Sequence, residues 1–375
     1  MTLPPFLIIG NPENRRVTLF QQALERQGQP SARVVSHLEA LDGALEGLSN
    51  EPAVVRLDAT GENADVEGRL LAMGREEARV NGFEVYEGGD VQFGQIVAPR
   101  QHHLGYLRYL RQLNESFQRR PAWRILQPLA AVEELFDKRR TSQRYQRMGV
   151  PVPEFIPDVG TPDALRSAAR EQGWTNLVVK LSCSSSASCL AVYNMRNGRE
   201  TIMTTMRRRG DAWFNSLRVQ RVDHGPGIDE VLGFLLREGS QVERLISKAR
   251  LAGAFMDCRV LMVAGEPAFV VVRQSRHLIT NLHLGGWRGS FEELRQVVPK
   301  AAWEAAMESC RTVARAHGTF HLGVDLMFEP GFKRHRIIEA NAFGDLLPNL
   351  TRRGLDVYEW QIAALQDTAR RTSSN

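Results

Sequence analysis

Cysteine is scarce in this chain, and its four copies, Cys183, Cys189, Cys258 and Cys310, form no C-x-x-C pair. That pattern excludes a disulfide scaffold, and reduced thiols are expected. No apolar run approaches the length of a membrane span. The opening MTLPPFLIIG has neither a basic leader nor a hydrophobic region long enough for a secretory signal. A cytoplasmic location with no membrane partner is therefore expected. None of the nine histidines forms H-E-x-x-H, and a lone Gly10 after the first apolar run is no G-x-G-x-x-G dinucleotide fingerprint. Internal repeats are absent too.

What remains is the composition of a globular protein. The 375 residues are 43% hydrophobic and 24% charged, enough for two or three compact units. The formal net charge of +5 raises the question of nucleic acid. Its arginines, however, fall in short clusters (Arg139-Arg140, Arg207-Arg208-Arg209, Arg352-Arg353, Arg370-Arg371) without interleaved aromatics. Nucleic acid is disfavoured, and anionic small molecules or an acidic partner account for the charge equally well.

The run Phe6–Ile9, the turn Gly10-Asn11-Pro12 and the helical spacing of Val17, Phe20, Ala23 and Leu24 predict strand, loop and helix. Val34-Val35 and Ala53–Val55 supply further strands of an open α/β unit. Arg56-Leu57-Asp58 then reads either as ligand-contacting groups at a strand end or as an ordinary polar loop. A helical pattern over 101–120 ends at Pro121, which places the division between a first domain, 1–120, and a second, 121–375. Leu135–Lys138 opens a helix through Met148, and Leu177–Leu181 is a strand with Lys180 inside it. A lysine in a β-branched run is costly unless it meets an anion, so Lys180 points to a ligand contact. The eight small residues Ser182–Cys189 follow. With Ser184, Ser185 and Ser186 at their centre, they suit a close approach of amides and hydroxyls to phosphate.

Further on, Cys258–Val263 and Ala268–Arg273 form a predicted hairpin. With a five-residue loop, Ala264 to Ala268, Arg259 stands opposite Arg273 and both share one face, ready to receive an anion beside the carboxylates described next. In Trp303–His317 the apolar residues trace one helical face, and His317 is expected as a core or capping residue.

The stretch Phe320–Asn349 reads as two strands around Pro330-Gly331. Pairing centred near Phe332 sets Asp325 opposite Glu339, with Asn341 on the same face as Glu339. Like charges across a ladder repel. A divalent cation between them, with the Asn341 oxygen as a third hard ligand, suits magnesium; the alternative is an exposed face with two solvated acids.

Taken in order, these pieces resemble the ATP-grasp superfamily, in particular the branch of glutathione synthetase and the ligase that adds glutamates to a ribosomal protein. The likeness covers roughly Pro121 to the end. It implies an α/β (α+β) chain: an N-terminal open α/β domain, 1–120, then an ATP-grasp domain, 121–375, whose two α+β subdomains hold the nucleotide between them. By the same resemblance Lys138 and Lys180 are the two nucleotide lysines. Val242–Ile246 is the hinge that meets adenine, with Glu243 and Leu245. Asp257-Cys258-Arg259 is the D-x-R motif. Arg259, Arg273 and Asn281 hold phosphate and acyl-phosphate, and Asp325, Glu339 and Asn341 bind magnesium. One departure is plain: the phosphate loop has no glycine through Ser184, Ser185 and Ser186 up to Leu190, and without glycine positive φ is disfavoured. The implied activity is ATP-dependent joining of a carboxylate to an amine, or to a thiol, through an acyl-phosphate, using ATP and Mg2+ with Mn2+ as the alternative ion. The acid is a small molecule or a peptide. A small-molecule kinase and a non-catalytic nucleotide-binding scaffold are the competing readings, and oligomeric state stays open.

Overall fold

The computed structural model describes residues 3–156, 159–183, 189–344 and 347–373. The first apolar runs pair as a parallel sheet in the order Arg33–Val35, Phe6–Ile9, Ala53–Leu57 and Trp123–Ile125. Its fourth strand lies past the expected division at residue 120. Alternation splits the central strand: Phe6 and Ile8 pack with Phe20, Leu24 and the C-terminal helix, while Leu7 and Ile9 face Leu70, Tyr109 and Leu113. Both faces are covered, so the strand reads as an unbroken apolar run.

Arg56, left open between a ligand contact and a loop, is neither. It sits within the strand Ala53–Leu57, 1% exposed. Its guanidinium donates twice to the Asp58 carboxylate, at 3.1 and 3.2 Å, and to Gln361 at 2.7 Å. It also lies over the rings of Phe20 and Tyr358. The pair ties the helix Val357–Ser373, and with it the end of the chain, to the N-terminal sheet.

A second, antiparallel sheet runs Gln95–Ile96, Ala212–Val222, Arg199–Arg209, Leu190–Arg196, Asn176–Leu181, Ser240–Arg244, Phe155–Ile156. The helices Pro162–Glu171 and Gly225–Arg237 cover one face with Leu165, Ala169, Leu232 and Leu235. The Arg199–Arg209 and Ala212–Val222 hairpin had no sequence signal, because its exposed arginines and a register shift between Asn215 and Gln220 blur the alternation.

The third sheet runs Trp287–Arg288, Glu266–Ser275, Ala254–Val263, His321–Phe328, His335–Asn341. The helix Lys300–His317 backs it with Ala306, Cys310 and Val313. His317 is a core residue: its Nε2 and the Tyr145 hydroxyl are 2.7 Å apart. The loop expected at Ala264–Ala268 is instead a two-residue turn, with Val263 opposite Glu266 and φ of 50° at Ala264 and 81° at Gly265. Such a turn matches strand twist. A bulge after Leu261 then restores parity, so Arg273 stands opposite Asp257, and Arg259 opposite Val271. The expected face is right and the expected partner is wrong: Asp257 and Arg259 are two residues apart, so all three side chains still share a face. Among the described residues, no helix is long and apolar enough to cross a membrane.

Candidate active site

The second and third sheets meet over a cleft of about 1040 Å³ of open space, lined by Lys138, Lys180, Glu243, Arg259, Arg273 and Asp325 among others. Strand register builds its floor. Arg259, Asp325 and Glu339 lie directly opposite one another on three adjacent strands. The Asp325–Glu339 pairing is the one expected from the sequence, and Asn341, opposite Gly323, shares their face. Arg259 Nε lies 2.6 Å and Arg273 Nη2 3.2 Å from Asp325 Oδ1. Gly323 makes room for this: a Cβ there would fall 2.8 Å from Arg259 Nη1.

From the other side come the lysines. Asp137 caps the helix Lys138–Arg147 by accepting from the Arg139 and Arg140 amides, which points the first residue, Lys138, at the cleft. Its Nζ is 3.8 Å from Glu339, and its amide donates to the Ser182 carbonyl. Lys180 is buried and pairs with Glu243 at 2.9 Å, and Gln241 donates to the same carboxylate at 2.7 Å. Burial alone would lower the Lys180 pKa; Glu243, Glu339 and Asp325 outweigh it, so the ammonium is held above its usual range. Burial likewise pushes the Asp325 carboxyl up, against Arg259 and Arg273. Glu339, equally buried, is nonetheless lowered by Lys138, Lys180 and the two arginines.

Leu245 lines the cleft, but its amide already donates to the Asn176 carbonyl at 3.0 Å, so that N–H is not a donor for a base. Asn281 lines it too, with its side-chain oxygen accepting from the His283 amide at 2.7 Å. Ser184, Ser185 and Ser186 lie outside the described residues.

Lys248 escaped sequence reasoning because it sits in an irregular segment with no pattern around it. Its Nζ bonds Asp257 at 2.8 Å and Thr280 Oγ1 at 2.6 Å. Thr280 also donates to Asp257, and Arg273 Nε donates to the other Asp257 oxygen at 2.7 Å. Burial alone would raise the Asp257 pKa, yet Arg273 and Lys248 bring it down to about 2. A charge chain, Lys248–Asp257–Arg273–Asp325–Arg259, thus crosses the cleft floor.

The donor set fits a hard divalent ion. Among the described residues Asn341 Nδ2 is buried without a hydrogen-bond partner; a half-turn of that amide presents an oxygen in its place, beside the Asp325 and Glu339 carboxylates that Arg259, Arg273 and Lys138 now contact. Among the described residues no group of three or more His, Cys, Asp or Glu could hold a metal.

A parallel α/β sheet followed by two antiparallel sheets that enclose a cleft of lysines, arginines and carboxylates is the ATP-grasp fold. Solved structures that share it include the ATP-grasp ligase PsnB complexed with a phosphomimetic variant of minimal precursor, Mg and ADP, at 13% identity and TM-score 0.54, covering 98% of this chain and 100% of that one. The macrocyclase MdnC, bound with precursor peptide MdnA from Microcystis aeruginosa MRC, shares 14% identity at TM-score 0.54, covering 97% and 99%. The D-cycloserine synthetase DcsG shares 12% identity at TM-score 0.56, again covering 97% and 99%. No protein-family model and no curated relative matches the chain by sequence. The likeness is one of fold.

Proposed function

We propose that this chain is an ATP-dependent carboxylate–amine ligase, with a thiol as the other acceptor, that works through an acyl-phosphate. One observation carries the reading: Arg259, Asp325 and Glu339 stand in register across three strands, while Lys138, at the head of the helix Lys138–Arg147, comes within 3.8 Å of Glu339, and Lys180, on the facing sheet, pairs with Glu243 and is held charged by Glu243, Glu339 and Asp325. Residues 121–375 carry the chemistry, and the N-terminal unit 1–120 touches it where Arg16 Nη1 donates to the Phe343 carbonyl at 2.9 Å.

In this reading a substrate carboxylate oxygen attacks the γ-phosphorus of ATP, the bond to the β-phosphate oxygen breaks, and ADP leaves. The acceptor amine then attacks the acyl carbon, phosphate departs, and the amine gives up a proton. Lys138 and Lys180 neutralise the nucleotide phosphates, with Glu243 holding Lys180 in place. Arg259 and Arg273 steady the charge on the transferred group, and Asp257 aims Arg273 and Lys248. Positioning and electrostatics supply the acceleration. Held by Asp325, Glu339 and Asn341, Mg2+, or Mn2+ in its stead, would offset charge on the β- and γ-phosphate oxygens. The PsnB and MdnC structures hold precursor or precursor peptide, which supports a peptide as one source of the acid; a small acid is the other.

Hydroxylamine tests the reading. A ligase screened with acids and ATP yields a hydroxamate as hydroxylamine traps the acyl-phosphate, together with ADP. ADP release with a phosphorylated hydroxyl and no hydroxamate is the kinase outcome, and nucleotide binding without turnover of any acid is the scaffold outcome.

A further inference from the structure

The register of the third sheet puts another arginine on the cleft face. In the two-residue edge strand Trp287–Arg288, Arg288 lies directly opposite Arg273. Directly opposed residues share a face. Arg288 therefore stands on the side of the sheet that carries Arg273, Asp257 and Arg259, one strand farther out. The two arginines differ in one respect. Arg273 is neutralised by Asp257 and Asp325. Arg288 is exposed, and no carboxylate among the described residues pairs with it.

Its position is nevertheless fixed. Nη1 donates to the Pro348 carbonyl at 2.7 Å, which ties the guanidinium to the segment that follows the carboxylate strand His335–Asn341. The edge strand itself is fitted closely to its neighbour: a Cβ on Gly289 would fall 2.4 Å from Gln274 Oε1. The Arg273 charge is already met by Asp257 and Asp325, so the guanidinium on this face that is left to meet an incoming anion is that of Arg288. Arg273 lines the cavity into which the carboxylate to be activated must enter. Arg288 stands one strand spacing away, about 5 Å.

We propose that Arg288 binds a second negatively charged group of the acid substrate, so that the substrate class is a di- or polycarboxylate. The inference rests on the reading of the cleft as a carboxylate-activating site. Glutarate represents a small dicarboxylate, and acetyl-Glu-Glu-Glu-amide represents an acidic peptide; their matched monoanions are butyrate and acetyl-Gln-Glu-Gln-amide.

Isothermal titration of the full chain in ADP and Mg2+ tests it. At least one polyanionic probe is expected to bind about tenfold or more tightly than its match, the scale of one charge-assisted hydrogen bond. Whichever pair shows the preference identifies the source of the charge. Arg288→Gln should erase the preference and Arg288→Lys restore part of it, with a melting curve confirming that each variant is folded. Equal affinities within both pairs, including no binding by any probe, overturn the proposal, as does a preference that survives Arg288→Gln. Titration of the wild type with ADP separates the two readings. Failure to bind ADP removes the ATP-dependent ligase reading and this inference with it, whereas ADP binding without a charge preference removes only the role of Arg288.

Discussion

The buried charges around Arg56 and those of the cleft are built differently. The Arg56–Asp58 pair is closed on itself. Both side chains are at most 2% exposed, and the guanidinium is used by Asp58, Gln361 and two aromatic rings. The cleft group is open. Its acids, Asp257, Asp325, Glu339 and Glu243, face five cations, Lys138, Lys180, Lys248, Arg259 and Arg273. Asn341 Nδ2 is buried with no hydrogen-bond partner among the described residues, and the group lines a cavity. Buried charge alone therefore does not mark a site. An excess of one sign beside open space does.

The difference predicts opposite responses to substitution. Arg56→Ala should cost about 3–5 kcal/mol of stability, because it leaves Asp58 buried and unpaired. Chemical denaturation checks this, and a loss below about 1 kcal/mol would mean the pair is not the lock described above. Its affinity for ADP should stay at the wild-type value.

Glu339→Gln should behave the other way. Turnover is expected to fall by at least about a hundredfold, since one anionic ligand and the partner of Lys138 are lost together. The melting temperature should move little. Wild-type turnover in this variant at ordinary magnesium would remove Glu339 from the site.

The histidines supply a third contrast. Burial depresses His37 and His317 to about 4 and His103 to about 3. Each is neutral in the fold but gains a proton in the unfolded chain near pH 6.5. The unfolded state binds more protons as pH falls, so stability should drop from about pH 6.5 toward 4, by up to about 3 kcal/mol for His37. Melting curves at pH 7, 5.5 and 4.5 check the sign. A flat profile would show that acid stability is set elsewhere.

The smallest effect sharpens the comparison most. Replacing the closed pair whole, as Arg56→Met with Asp58→Leu, should cost about 1–2 kcal/mol, less than Arg56→Ala, because no charge is left unpaired and only the Gln361 amide loses its partner. The corresponding double change in the cleft, Arg273→Met with Asp257→Leu, should abolish turnover even if the fold tolerates it. Denaturation of the first double variant and a turnover assay of the second measure the two halves of that contrast.

Much of the site was legible in the chain itself. The Asp325–Glu339 pairing is the one expected from a register centred on Phe332; next to the turn the ladder runs one residue off that register, with Phe328 opposite His335, and the shift between Leu326 and Asp325 restores it. Lys180 could be singled out because its strand is otherwise apolar. The partner of Arg273 could not be found that way. An Ala-Gly turn with positive φ at both residues is a poor match to sequence rules that look for Asn-Gly or Asp-Gly, and the bulge after Leu261 has no sequence signal at all. Lys248 and Arg288 were not singled out for a related reason: Lys248 lies in an irregular segment and Arg288 in a strand of only two residues, and the neighbours of each are brought by other strands.

What the sequence determined by itself was therefore local: element type, the face each side chain takes along a strand, and the charges that need partners. Those depend on a period of two or of 3.6 and on the cost of burying a charge, both of which act over a few residues. Which charge meets which was decided only by tertiary structure, because a one-residue change in a turn or bulge shifts every partner across a ladder while leaving each strand's own pattern untouched. Arg56 and Arg273 look alike as arginines inside apolar strands. One is enclosed by the C-terminal helix and the other opens onto a cleft because of what packs over each, and no property of the strand that carries it decides that.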